Sequence, residues 1–328
     1  MGVTPRELVW SRETASLWRY RSDSRRVGPP LVIVHSLVSR SYILDLRPGH
    51  SFVGSLCDEG FDVFVLEWGP PDSAESTRTL ADYIDADIPD AVAAACNVAP
   101  SPDVTLMGYC FGGILALVFA ARHPEAPVRN LVTMATAVDF DHVGVIANLL
   151  GGHGVDPRTL LDETGNLPAA TVARGIRMLR PTAEVAALAN LWQNLDDDDR
   201  VAGMRAVESW LADQVPFPGA LFVECVEMFV HRNALVADTV EVAGEHVSLR
   251  TVTCPYLAVV ADDDFVVPAP SALPAPGLVG SRDTTLLRLA AGHIAFIAGS
   301  RRMGLHLPQI TDWLSAHGDE PGGAAAAP

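Results

Sequence analysis

The stretch VTLMGYCFGGILALVFAARHP, residues 104–124, constrains this chain more than any other. By hydropathy alone, residues 104–121 form an uncharged, mostly apolar run long enough to imitate a membrane span. Gly108, Gly112 and Gly113 interrupt it and favour a different parse. VTLMGY reads as a buried strand, CFGG as a tight turn and ILALVFAAR as a buried helix halted ahead of Pro124. A strand passing through a glycine-rich turn into a helix is the repeating unit of an α/β protein.

The same grammar recurs along the chain. PPLVIVHS (29–36), FDVFVLEW (61–68), VRNLVTMATAVDF (128–140), CPYLAVVADDD (254–264) and TTLLRLAAGH (284–293) read as central strands. Near-continuous apolar strands imply a parallel sheet buried on both faces by helices. ELVWSRETASLWRYR (7–21) alternates more and suits an antiparallel edge pair. Between residues 140 and 254 the segments have helical spacing and no strand-like run, which predicts an inserted helical cap. The expected organisation is therefore an α/β core over 1–140 and 251–317, a helical cap over 141–250, and a disordered small-residue tail over 318–328. The acidic run at 196–199 reads as a solvated helix start, since no metal-ligand spacing fits it.

Composition narrows the function. At 328 residues, 49% hydrophobic and 19% charged, the chain has enough apolar sequence for one large core. A net charge of −17 repels nucleic-acid phosphates and anionic headgroups, which argues against both as partners. Five cysteines (Cys57, Cys96, Cys110, Cys225, Cys254) without a C-x-x-C pair argue against a disulfide framework or a zinc site and point to a reducing, cytoplasmic compartment. The N-terminal stretch lacks the apolar region of a signal peptide, and none is expected.

Cys110 stands between Gly108 and Gly112, where the G-x-S-x-G elbow of many hydrolases carries serine. Such an elbow exposes the nucleophile and aims the first helical N–H groups at the reacting carbon. The Phe111 amide is then a candidate oxyanion donor, and the helix terminus favours thiolate. The bland alternative, a buried inert thiol, leaves the strand, turn and helix context unexplained. In this fold the acid and the histidine follow the nucleophile in that order. His293 lies after the last strand, behind Gly292; Asp264 closes the strand after the cap, with Asp262, Asp263 and Asp139 as alternatives that the sequence does not separate.

Segment 29–72, the GYCFGG box, LVTMATAVDF, GNLPAATVARGIRMLRP, ADDDFVVP and GHIAF together resemble polyhydroxyalkanoate synthases, most nearly the short class III catalytic subunit. The resemblance runs from about Pro29 to Trp313. It implies an α/β-hydrolase fold with Cys110 as acyl-accepting nucleophile, His293 as base and Asp264 as acid, because the family's D-x-V/I-V-P motif puts its Asp four residues ahead of the Pro, here Pro268. It also implies Leu37 as the second oxyanion N–H, no cofactor, a coenzyme A or carrier-protein thioester as substrate, a homodimer or partner synthase subunit, and association with polyester granules. The implied reaction builds polyester from 3-hydroxyacyl-coenzyme A. A single-transfer acyltransferase, cyclase or thioesterase, and a noncatalytic partner subunit, are the alternatives.

Chemistry suits a thiol to this role. Exchange of a coenzyme A thioester onto sulfur is nearly isoenergetic, whereas serine would form a more stable ester. Several positions depart from the family pattern: Ser39 for Asn, Glu67 for Asp, Pro70 for an aromatic, Phe265 for His, and a bulky Phe111 after the nucleophile. Phe265 and Phe111 are expected to narrow the space for a second hydroxyacyl group, unless Phe265 points into the core.

Overall fold

Alternation within the apolar runs sends successive side chains to opposite faces of one sheet, and each face acquires its own core. Val32 and Val34 join an apolar cluster with Leu106, Leu115 and Leu117, while Leu31 and Ile33 join Met107, Tyr109 and Val132 on the other side. In the computed structural model, which describes residues 2–20, 27–144, 150–151, 155–179, 192 and 196–318, the sheet has eight strands. They are β1 (Arg6–Arg12), β2 (Ala15–Tyr20), β3 (Leu31–Val34), β4 (Val63–Glu67), β5 (Val104–Tyr109), β6 (Val128–Met134), β7 (Tyr256–Ala261) and β8 (Thr284–Leu289). Their spatial order is β1-β2-β4-β3-β5-β6-β7-β8. The first two pair antiparallel with each other and β2 pairs antiparallel with β4; every other pairing is parallel. This is an α/β-hydrolase fold, as the sequence led us to expect.

Helices cover both faces. On one side lie α2 (Ile88–Val98) and α3 (Phe111–Arg122); on the other lie α1 (Phe52–Asp58) and the C-terminal α7 (Ser300–Ala316), which contributes Ile310, Trp313 and Leu314. Helix α3 is the second half of the apolar run at residues 104–121, and its residues from Gly112 to Ala121 are all buried. No helix among the described residues is long and apolar enough to cross a membrane.

Two sequence expectations need correction. TTLLRL forms an edge strand rather than a central one, with Leu286 exposed on its open side. Its Thr-Thr-Leu-Leu-Arg-Leu composition alternates in burial, which a continuous-run reading overlooked. The segment between residues 140 and 254 contains helices α4 (Ala169–Leu179), α5 (Asp198–Ala212) and α6 (Gly219–Cys225), but also a hairpin of Val240–Val242 against Glu245–Val247. Ala243 and Gly244 turn it at positive φ, 52° and 77°. Val240, Val242 and Val247 belong to the same apolar cluster as α3, so the hairpin packs on the core. The acidic run does start a helix: Asp197 caps α5 by accepting from the Arg200 amide. Of the tail at 318–328, all but Gly318 lies outside the described residues.

The join between β5 and α3 is crowded beyond what any side chain tolerates. A Cβ on Gly112 would lie 2.1 Å from the carbonyl oxygen of Val34, and one on Gly108 would lie 2.3 Å from the Cα of Gly113. Both neighbours are backbone and have little room to move. Gly112→Ala should therefore cost about 1–3 kcal/mol or more, seen as a lowered Tm in thermal unfolding; an unchanged Tm would show that α3 can retreat from β3 without penalty.

Candidate active site

Cys110 occupies the turn between β5 and α3 with φ 55° and ψ −122°, a conformation rarely adopted by a residue with a side chain. Two hydrogen bonds hold it there. Its amide donates to the carbonyl of Met134 on β6 at 2.9 Å, and its own carbonyl accepts from Gly113 at 3.0 Å. Strain of this kind, about 1–3 kcal/mol, persists only where the surroundings over-determine it. Its effect is to lift the side chain out of the sheet, leaving Cys110 partly accessible.

The other thiols differ in environment. Burial raises the Cys57 thiol to about 12 and the Cys254 thiol to about 11, and drives that of Cys225 well above its ordinary value. Such thiols are inert as nucleophiles at neutral pH. Cys110 instead lies close enough to His293 for its charge to act on the imidazole.

His293 follows β8 in a short loop whose geometry is fixed from several sides. The Tyr109 hydroxyl donates to its carbonyl at 3.0 Å, and the Tyr109 ring packs against the imidazole at 5.3 Å between centroids. Its Nδ1 lies 2.6 Å from Asp264 Oδ2, and both side chains are buried. The second oxygen of Asp264 accepts from the amides of Val266 and Val267, each at 2.8 Å. Desolvation opposes a charge on His293. The charges of Cys110 and Asp264 and the hydrogen bonds with both outweigh it, and raise the imidazole to about 10.

The competing carboxylates are engaged elsewhere. Asp139 accepts from the Asp141 amide and from Asn233, and faces His142 at 3.0 Å. Asp262 pairs with Arg288 at 2.9 Å, and Asp263 is exposed. Among the four, Asp264 is the one whose carboxylate meets His293.

Phe111 is the first residue of α3, so its N–H is among the donors that a helix start leaves unpaired. Leu37 lies buried in the segment leaving β3, whose last carbonyls press against Gly112. The two candidate oxyanion donors thus come from adjoining backbone. The Phe111 ring meets Phe217 edge-on at 5.6 Å, and Phe217 in turn meets Phe222, linking the elbow to the inserted segment. Phe265, next to Asp264, is 36% exposed and does not point into the core.

Two neighbours of the site were not singled out from the sequence. Tyr109 supports His293, and His35 stacks on the Tyr109 ring with centroids 5.8 Å apart. The available signal for His35 was a polar residue closing the apolar strand LVIV.

Comparison with known proteins places the fold and the family. A protein-family model described as alpha/beta hydrolase fold matches residues 29–300. The chain is 33% identical to the poly(3-hydroxyalkanoate) polymerase subunit PhaC of Allochromatium vinosum and 32% identical to that of Thiocystis violacea; each match covers 96% of this chain and 89% of the relative. It is 31% identical to the PhaC subunit of Haloferax mediterranei over 96% of this chain, but spans only 64% of that protein's length. Among solved structures, a thermophilic esterase from Thermogutta terrifontis aligns with a TM-score of 0.56 at 16% identity, covering 96% of this chain and all of the other. A hydrolase from Pseudomonas aeruginosa aligns with a TM-score of 0.55 at 14% identity, covering 93% and 98%. The solved structures speak for the fold and the sequence relatives for the family: this chain belongs to the α/β-hydrolase fold family and, within it, to the poly(3-hydroxyalkanoate) polymerase subunits.

Proposed function

We propose that the chain is an acyltransferase that loads 3-hydroxyacyl groups from coenzyme A thioesters onto Cys110 and passes them to a hydroxyl, extending a polyester. The observation that carries the reading is the hydrogen-bonded pair His293–Asp264 beside Cys110 at a strained elbow, in a chain whose relatives bear the polymerase name.

The chemistry follows from the charges. The Cys110 sulfur attacks the thioester carbonyl, and the developing oxyanion is met by the amides of Phe111 and Leu37. His293 holds the proton and delivers it to the departing coenzyme A sulfur as the carbonyl re-forms. In the second half, unprotonated His293 takes the proton of an incoming 3-hydroxyl group, which attacks the Cys110 thioester and frees the thiolate for another cycle. Asp264 acts throughout by holding Nδ1–H, so that Nε2 faces the sulfur and the hydroxyl. Phe111 and the exposed Phe265 border this space with apolar bulk and limit how a second acyl group enters.

The relatives are described as subunits, and we extend that to this chain: it works with a partner subunit or a second copy of itself. A cytoplasmic setting at the granule surface belongs to the same proposal, since its polymer product is insoluble in water.

Three outcomes test this reading. Incubation with 3-hydroxybutyryl-coenzyme A should release free thiol and give an intact-mass adduct that is lost in Cys110→Ala; an adduct mapping to Cys57 or Cys225 would move the nucleophile. Asp264→Asn should slow acyl transfer by about 10³–10⁴-fold through the wrong imidazole tautomer, whereas Asp139→Asn should leave it nearly unchanged, and the reverse pattern would reassign the acid. Finally, His293 titrates near 10 folded against 6.5 unfolded, so its protonated form contributes to stability in full below pH 6.5 and loses that contribution as pH climbs through 10. Denaturation midpoints should fall across that interval, and less steeply in His293→Gln; equal slopes would place the raised pKa in doubt.

A further inference from the structure

The segment that leaves β3 has a peculiar support. At its near end the His35 carbonyl accepts from Trp68 Nε1 at 2.8 Å and presses on Gly112. At its far end the Arg40 carbonyl accepts from Trp210 Nε1, on α5, at 2.7 Å. Between these anchors residues 37–38 form a turn, and no backbone hydrogen bond donated by the amides of residues 36–38 is found among the described residues. Leu37 sits in the middle of that stretch.

One side-chain contact spans it. The His35 imidazole folds back over its own loop, with Nε2 3.2 Å from Ser39 Oγ, while its ring lies on Tyr109 at an interplanar angle of 21°. The ring is 1% exposed. Burial lowers its pKa to about 3 against the opposing pull of the Arg40 and Ser39 backbone, and the charge of His293 adds to the lowering. His35 therefore stays neutral at working pH and does not compete with His293 for a proton; its Nε2 meets the Ser39 hydroxyl, and its Nδ1 is buried with no hydrogen-bond partner.

We propose that His35 and Ser39 form a clasp that closes the turn at residues 36–38 and holds the Leu37 N–H where the oxyanion develops. His35 is thus a positioning residue: it acts through the backbone that it secures and touches no reacting atom. The inference rests on the acyl-transfer reading above for its effect on rate. The clasp itself is a property of the resting protein.

The pair Ser39→Thr and Ser39→Val isolates the hydroxyl, because the two replacements have nearly the same shape. In single-turnover acylation by 3-hydroxybutyryl-coenzyme A, followed by intact mass, Ser39→Val should be slower by about 10–100-fold, less than the full loss of an oxyanion donor. Substrate affinity should be unchanged, and Ser39→Thr should stay within about threefold of the unmutated protein. Amide hydrogen exchange without substrate gives a second readout: residues 36–40 should exchange faster in Ser39→Val, with β3 and β5 unaffected, and Ser39→Thr should restore protection. Equal rates and equal exchange in the two variants would overturn the clasp. If the unmutated protein takes no acyl group, the acyl-transfer reading fails, and exchange alone decides the clasp: faster in Ser39→Val supports it, unchanged refutes it.

Discussion

The seating of helix α3 directly on the end of strand β3 is the contact on which the rest of the site depends. Gly112 leaves no room for even a methyl group against the carbonyls of Val34 and His35. Because the helix start cannot back away, the chain must turn sharply at Cys110 and accept a positive φ there. The same contact places the amides at the head of α3 beside the segment that carries Leu37. The proposed nucleophile, a helix terminus and the proposed second backbone donor are thus gathered by one packing event, and none needs a special side chain beyond the sulfur.

Charge placement around that elbow is asymmetric. Two imidazoles pack against the Tyr109 ring, and both are buried. His293 has Asp264 on Nδ1 and Cys110 within hydrogen-bonding reach, so its charged form is favoured; His35 has only a hydroxyl and backbone, so its neutral form is. Burial acts on both in the same direction, and the neighbouring charges decide the opposite outcomes. In the proposed mechanism this confines proton transfer to His293. Desolvation also raises the thiols of Cys57, Cys225 and Cys254 and silences them as nucleophiles.

The inserted segment is fastened to the core by two kinds of contact. Apolar ones run from Phe111 to Phe217 and Phe222, and from the Val240–Val242 hairpin onto the α3 face. Polar ones run from α5 to the segment after β3: Trp210 to the Arg40 carbonyl, Asp213 to the Tyr42 hydroxyl at 3.2 Å, and Asp199 to Arg47 at 2.8 Å. The acidic run at 196–199 therefore does more than start a helix in solvent. One of its carboxylates ties α5 to the core.

Much was determined by the sequence alone. Strands, elbow and the order of nucleophile and histidine were legible because they rest on local periodicity and on glycines at fixed offsets, which act within a few residues. Local pattern could not choose among Asp262, Asp263, Asp264 and Asp139, since all four are carboxylates at strand ends, and only the fold shows that Asp262 and Asp139 meet other partners, that Asp263 is exposed, and that Asp264 meets His293. Nor could it show that TTLLRL is an edge strand, that TVEVAGEHV folds as a hairpin within a helical stretch, or that His35 reaches Ser39. Those outcomes depend on which surfaces meet across long sequence separations, and burial and hydrogen-bond partners are properties of the packed chain rather than of any segment of it.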